Sequence, residues 1–377
     1  MTSPRFHSLP VVRVAPEAAG AVAISFGVPP ELRSVFRFEP GQFLTLRAQI
    51  DGQDVRRSYS ICSARSRYQA TGELEVGIRP VDGGVFSNWA ASQLQPGDHL
   101  AAMPPEGRFV STRPRAMHRV GFAAGSGITP ILSIIATTLE EQPAAKFTLV
   151  YGNQRMASVM FNEALQDLKD RYPDRLTLIH LLSRQAQEVD LLQGRIDAAK
   201  VNRLLALLLP AASLDEVFIC GPEAMMEATE AALGAAGVAP HKIHTERFAS
   251  SALNRQDALA LAQRRAANTT QTPARHGDAH GGTQGDVALL LTLDGKRHPL
   301  RMRADQYVLD VALAAGLDLP FSCKAGVCCT CRAKVTQGTV VMDKNFTLEA
   351  REVEMGFVLT CQARPQTTVL AVNFDER

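Results

Sequence analysis

Apolar positions between Arg5 and Arg113 fall in short extended runs: 11–14, 21–26, 43–48, 55–60, 74–79 and 99–102. Turn formers separate them: Gly20, Pro29-Pro30, Pro40-Gly41, Asp51-Gly52, Thr71-Gly72 and Pro96-Gly97. Strands at this spacing predict a small antiparallel barrel over residues 1–113. Near Pro114 the texture changes. An apolar strand at 118–123 runs into Gly125-Ser126-Gly127 and a helix over 130–141. Strands at 147–151, 176–182 and 216–220 then alternate with helices at 161–172, 198–208 and 223–235, and a last strand lies at 242–246. Such alternation predicts a parallel sheet covered on both faces, residues 114–249.

Residues 250–285 carry Asn, Gln, Thr, Gly and Ala with few large apolar side chains. Apart from one helical stretch at 258–267, they are expected to be a flexible linker, because they bury too little to offset ordering entropy. Beyond them, runs at 287–293 and 297–302 flank Asp294-Gly295, a hairpin signal, and a helix follows at 308–315. A mixed sheet, one packed helix and a cysteine loop are expected for residues 286–377. The chain contains no internal repeat.

Composition narrows the picture modestly. A chain of 377 residues, 46% hydrophobic and 21% charged, has ordinary cores and room for two or three domains. A net charge of +2 argues against nucleic acid or an anionic membrane as partner. No apolar run reaches the roughly 18 residues of a membrane span, and residues 1–10 lack a signal-peptide core.

The richest chemistry sits at Cys323-Lys324-Ala325-Gly326-Val327-Cys328-Cys329-Thr330-Cys331. Cys323, Cys328 and Cys331 stand at Cys-x4-Cys-x2-Cys spacing with Cys361 further on, the plant-type [2Fe-2S] ligand pattern. A compact loop lets three thiolates converge on a small cluster, and Gly326 supplies the backbone freedom. Structural zinc instead favours paired short Cys units, often with histidine. With four of the seven cysteines so assigned, Cys62, Cys220 and Cys329 form an odd, scattered set, which points away from disulfides and to a cytoplasmic protein.

Arg57-Ser58-Tyr59-Ser60 ends a barrel run: a guanidinium suits a phosphate, and an aromatic face with a hydroxyl suits a ring system. Alone, such residues are usually a solvated turn. Gly83-Gly84-Val85-Phe86-Ser87 adds a glycine turn opening a helix, where anions bind. Gly125-Ser126-Gly127-Ile128-Thr129-Pro130 lies between strand and helix. Its glycines admit a pyrophosphate, Thr129 is expected to cap the helix and Pro130 to begin it. A tight structural turn is the plain alternative, since the strict G-x-G-x-x-G is absent.

These motifs, together with Cys220-Gly221-Pro222, resemble the ferredoxin–NADP reductase family over residues 5–248. The resemblance implies FAD, with Arg57 and the Gly84–Ser87 turn at the pyrophosphate, Tyr59 against the isoalloxazine and Ser60 near N5. FMN is the runner-up, since some oxygenase reductases of this domain order carry it. Cys220 would lie beside the nicotinamide, and Glu246 and Phe248 match a Glu-x-Phe whose aromatic shields the flavin. A small buried hydrophobe is the plain reading of Cys220, while His180, His241 and His244 read as packed or surface residues. The candidate ribose-binding strand ends offer Arg155 and Ser183-Arg184 but no acid, which favours NADPH over NADH. The fold class this implies is α+β multidomain: an antiparallel flavin-binding β-barrel, a Rossmann-like parallel α/β nucleotide domain and a C-terminal β-grasp ferredoxin domain.

Around the cysteines the likeness narrows. Phe321-Ser322-Cys323, Met342-Asp343-Lys344-Asn345 and the run from Gly356 to Pro365 resemble the reductase components of bacterial phenylacetyl-CoA epoxidases. That implies NADPH reducing FAD, single electrons passing to a [2Fe-2S] cluster near about −400 mV, and a diiron oxygenase as acceptor. Two departures stand out: Ala325 replaces a common glycine, and Cys329 is an extra thiol that leaves the ligand choice open. Other readings are a reductase for a different oxygenase, using NADH or FMN, and, in another class, a redox regulator whose cysteines hold zinc.

Overall fold

The computed structural model describes residues 6–248 and 286–376. The expected linker, 250–285, lies outside the described residues. Two compact units separate, one spanning residues 6–80 and 85–248, the other containing 81–84 and the C-terminal region.

In the first unit, strands β1 (His7–Pro16), β2 (Val22–Gly27), β3 (Phe43–Ile50), β4 (Gln53–Ser60), β5 (Glu73–Ile78) and β6 (His99–Ala102) form one antiparallel sheet. Its order is β4-β3-β6-β1-β2-β5. Just past β4, Ile61 bridges to Val76 of the opposite edge strand, and the Cys62 N–H donates to the Glu75 carbonyl at 2.8 Å. That stitch curls the sheet into the expected barrel. Leu9, Ile24, Phe26, Leu44, Leu46 and Ile78 fill it.

Two helices of this part carry weak periodic signals. Helix α1 (Arg65–Thr71) buries only Tyr68, whose hydroxyl donates to the Arg33 carbonyl at 2.7 Å, and ends at Gly72 in the left-handed region. Helix α2 (Val85–Gln93) buries Phe86, Ser87 and Ala90.

The parallel sheet contains β7 (His118–Ala124), β8 (Lys146–Asn153), β9 (Leu176–Leu182), β10 (Glu216–Cys220) and β11 (Ile243–Glu246), ordered β11-β10-β7-β8-β9. Helices α3 (Ile128–Glu141), α4 (Asn162–Arg171), α5 (Ala198–Leu207) and α6 (Glu223–Ala235) alternate with the strands, and hydrophobic clusters form on both faces. One cluster reaches into the barrel through Ala21, Ala23, Cys62 and Phe109, so barrel and sheet share a core.

The second unit builds a five-stranded mixed sheet from β12 (Asp286–Leu293), β13 (Lys296–Arg303), β14 (Arg332–Gln337), β16 (Phe357–Leu359) and β18 (Val369–Asn373). Strands β12 and β18 run parallel at the centre, and α7 (Val308–Ala314) packs Val308, Leu309 and Ala312 into the core. A short pair, β15 (Val340–Met342) and β17 (Ala363–Pro365), and a five-residue helix, α8 (Ala350–Glu354), complete a β-grasp.

The helix start at the glycine loop requires a correction. Helix α3 begins at Ile128, so Thr129 is inside its first turn, not its cap. Thr129 Oγ1 donates to the Ser126 carbonyl at 3.1 Å. Pro130 is the third helical residue, where a missing N–H still costs no intrahelical bond.

Candidate functional site

Three groups of residues carry the chemistry. On β4, alternation places Arg57 and Tyr59 on one face and Ser58 and Ser60 on the other. The Arg57 guanidinium donates to the Arg56 carbonyl at 2.7 Å. Tyr59 lies 5.6 Å from the Phe86 ring of α2, and burial pushes its phenol up despite the nearby Arg57. Ser58 approaches Thr45 Oγ1 at 3.2 Å, while Ser60 is buried at the strand end. Gly83 adopts φ +71, and the Gly84 N–H donates to the Val81 carbonyl at 2.9 Å, a tight turn immediately before α2. Val85 at the head of that helix is exposed and Ser87 is buried. A half-buried cationic strand, a neighbouring aromatic and an adjacent helix start fit a phosphate-bearing ring cofactor.

The second group is the crevice between β7 and β10, where the sheet order reverses. Gly125 has φ +53 and begins the short turn Gly125–Gly127. Gly127 is required for a different reason: a Cβ there would sit 2.1 Å from the Cys220 carbonyl oxygen. Gly221 likewise packs its α-carbon near the Ala124 N–H, with 3.2 Å to a Cβ. The loop after β7 and the Cys220-Gly221-Pro222 strand end therefore touch along bare backbone, the arrangement that brings N–H groups to a ligand in such a crevice. Tyr151 braces the loop, its hydroxyl donating to the Gly125 carbonyl at 2.8 Å.

Cys220 is fully buried, and burial first, then the Glu246 carboxylate, pushes its thiol well above the ordinary range. It stays a neutral thiol. Glu246 is opposite Cys220 in the β10–β11 register, two residues before exposed Phe248.

The loops after β8 and β9 run side by side: the Ser183 and Arg184 N–H groups donate to Asn153 and Gln154 carbonyls at 3.0 and 2.8 Å. Arg155 and Arg184 are exposed on these joined loops. His180 is half-buried beside Tyr151, and His244 stacks on Phe218 and bonds Glu216 at 3.1 Å; both are packed histidines, as expected.

Sequence reasoning missed Arg79. A Cβ built on Gly125 would lie 3.1 Å from an Arg79 Nη, which puts this guanidinium against the glycine loop. Nothing in the run Glu75-Val76-Gly77-Ile78-Arg79 signals it. Only the docking of barrel strand end on loop does.

The third group is the cysteine loop. Lys324, Gly326 and Cys329 all take positive φ (+50, +78 and +61), wrapping the chain tightly. Gly326 packs against the Lys344 carbonyl, where a Cβ would lie at 2.9 Å, and Gln362 Nε2 donates to the Lys324 carbonyl at 3.0 Å. Thr360 Oγ1 donates to the Cys331 carbonyl at 2.8 Å.

Among the described residues, no three His, Cys, Asp or Glu side chains converge as they would around a single ion. The thiols meet instead in two pairs, Cys323 with Cys328 and Cys331 with Cys361. A hydrogen bond from the Cys328 thiol, aided by the Ala325 N–H at 3.3 Å, lowers the Cys323 pKa, whereas the Cys361 contact and burial raise that of Cys331. Two plus two thiols fit a two-iron cluster better than one zinc ion. Cys329 belongs to neither pair and packs against the domain core.

Residues 18–110 match the Oxidoreductase FAD-binding domain, 122–231 the Oxidoreductase NAD-binding domain and 291–366 the 2Fe-2S iron-sulfur cluster binding domain. The chain belongs to the ferredoxin–NADP reductase family with a C-terminal [2Fe-2S] ferredoxin domain, and is an oxidoreductase. Among its relatives, a component of the 1,2-phenylacetyl-CoA epoxidase of Escherichia coli (strain K12) is 42% identical, covering 99% of this chain and 98% of that protein. The ferredoxin reductase component of 3-ketosteroid-9-alpha-monooxygenase from Rhodococcus rhodochrous is 35% identical over 97% and 96%. Phthalate dioxygenase reductase shares the fold, with a TM-score of 0.59 at 19% identity and 98% coverage of both chains.

Proposed function

We propose that this chain takes reducing equivalents from NADPH through FAD and a [2Fe-2S] cluster to a diiron oxygenase, the phenylacetyl-CoA epoxidase of phenylacetate catabolism, in the cytoplasm. The observation that carries the reading is the two thiol pairs, Cys323/Cys328 and Cys331/Cys361, on the same chain as a flavin strand and a nicotinamide crevice. When bound, the nicotinamide supplies a hydride, the flavin splits its two electrons, and the cluster passes them on singly.

In this reading the protein's groups position and select. Arg57, the Gly83–Gly84 turn and Ser87 hold the flavin pyrophosphate. Tyr59, Ser60 and Phe248 line the ring, and Ser58 supports the strand. Gly125, Ser126, Gly127 and Thr129 form the dinucleotide loop, with Arg79 adding positive charge at Gly125. Cys220, Gly221, Pro222 and Glu246 border the nicotinamide, while Arg155, Ser183 and Arg184 meet the 2′-phosphate. The four paired cysteines hold the cluster. Domain limits follow as 1–113, 114–249, 250–285 and 286–377. Support for the acceptor comes from the epoxidase relative, 42% identical.

A second reading, a reductase for another oxygenase with NADH or FMN, draws on the 35% identical steroid monooxygenase component. The zinc-holding regulator gains nothing from the family match. Anaerobic titration of the purified holoprotein with NADPH, followed by the candidate oxygenases in turn, tests the proposal. Bleaching of flavin and cluster bands, with reoxidation by the epoxidase alone, supports it; colourless, iron-free protein or indifference to the epoxidase overturns it.

A further inference from the structure

Helix α3 is almost entirely buried, yet one stripe of it is polar: Ser133, Thr137, Glu140 and Glu141. Their spacing of four, three and one residues sets them on a single face. That face meets the segment that immediately follows the flavin strand. Ser133 Oγ, fully buried, donates to the Ser63 carbonyl at 2.7 Å. The Arg65 N–H donates to Thr137 Oγ1 at 3.2 Å, and Ser66 Oγ donates to Glu140. The Arg65 guanidinium bonds both oxygens of Glu141, one of them through Nε at 3.0 Å, and reaches across to Glu39 of the barrel at 2.6 Å.

The segment is anchored on its other side too. Ile61 is paired with Val76, and Ser63 Oγ accepts from the Glu75 N–H at 3.1 Å. The strand ending in Tyr59-Ser60 and the helix beginning at Ile128 are thus joined by a rail of directional bonds running most of the helix length. Apolar contact alone lets packed layers slide; a bidentate guanidinium–carboxylate pair and a buried hydroxyl bond each fix one register.

We propose that Arg65 is a positioning residue for hydride transfer: by gripping Glu141 and Glu39 together it fixes the glycine loop and Cys220 crevice against the flavin strand. The inference rests on the proposed nicotinamide-to-flavin route. Reacting atoms must lie within about 3–3.5 Å, and displacement by around 1 Å costs about a hundredfold, so a partial loosening should cost about tenfold. Neither Arg65 nor Ser133 is among the residues assigned to the flavin or the nucleotide, so the effect is expected on the transfer step rather than on binding.

The test is stopped-flow reduction of the flavin in full-length holoprotein under anaerobic conditions, with protiated and 4-deuterated nicotinamide nucleotide. Arg65→Ala is expected to slow reduction about tenfold, to raise the deuterium isotope effect and to leave the nucleotide dissociation constant within about twofold. Arg65→Lys should recover part of the rate. Ser133→Ala, which removes the buried bond without touching a charge, should move rate and isotope effect the same way and serves if Arg65→Ala does not fold. Wild-type rates and isotope effects in Arg65→Ala or Ser133→Ala, or slowing fully explained by weaker nucleotide binding, overturn the inference. Failure of any nicotinamide nucleotide to reduce the wild type would instead overturn the functional reading beneath it.

Discussion

At the scale of single residues, the cysteines and arginines carry the sharpest consequences. Cys361 is the strongest neighbour of the Cys331 thiol, so Cys361→Ser takes one thiol from the proposed set of four. Purified Cys361→Ser should lose most of its iron and visible cluster absorption while keeping bound flavin, as measured by iron assay and absorbance. Cys329→Ser, outside both pairs, should retain both. Arg184 is on an exposed loop end, and in the proposed reading its charge matters only to a nucleotide that brings a 2′-phosphate. Arg184→Ala should raise KM for NADPH at least about tenfold and for NADH little, in steady-state assays with an artificial acceptor; equal effects would remove the 2′-phosphate assignment.

At the scale of elements, the far end of the parallel sheet from the glycine loop is held by a buried ionic knot. Arg119 on β7 and Glu216 on β10 are both fully buried and 2.9 Å apart. Glu216 also accepts from Ser111 Oγ at 2.7 Å, the Thr112 N–H at 2.7 Å and His244 at 3.1 Å. Burial alone would raise its pKa, but these donors and Arg119 pull it down to about 2 from 4.5. A depressed acid contributes stability above its unfolded pKa and loses it as pH falls. This knot should therefore give up about 3 kcal/mol between roughly pH 4.5 and 2. Glu216→Gln would leave Arg119 charged and buried without a counter-ion, a loss of about 3–5 kcal/mol. Denaturant unfolding at pH 7 reads the loss in Glu216→Gln, and unfolding across about pH 2–7 reads the acid effect, with the variant's acid limb flatter than wild type. The neighbouring strands were legible in the sequence, because buried parallel strands read as apolar runs and the glycine loop breaks them, while the helix start beyond that loop was misplaced by two residues. Helix α1 was not, because one buried residue in two turns leaves no period to detect.

At the scale of the whole molecule, the ferredoxin unit has its own core, built around Leu289, Leu291, Leu309 and Leu359, separate from those of the other unit. Its loop takes three left-handed residues, and in the proposed reading the cluster its cysteines hold stabilises that wrap. Removing iron by acid or chelator should lower one calorimetric transition by several degrees and leave the flavin-bearing transition in place. A joint shift of both would show that the units unfold as one.

The chain by itself determined the order of the FAD-binding, NAD-binding and 2Fe-2S regions, the Cys-x4-Cys-x2-Cys spacing and the glycine loops, because each depends on local spacing: a thiol pattern, a strand–turn–helix junction, an alternation of period two. Tertiary structure alone decided which thiols pair, that Gly127 must be bare because Cys220 lies against it, that Arg79 reaches the loop, and that α3 turns a polar stripe toward the flavin strand. Those are contacts between segments far apart in sequence, and the packing of strand edges and helix faces brings them together only once the sheets have closed.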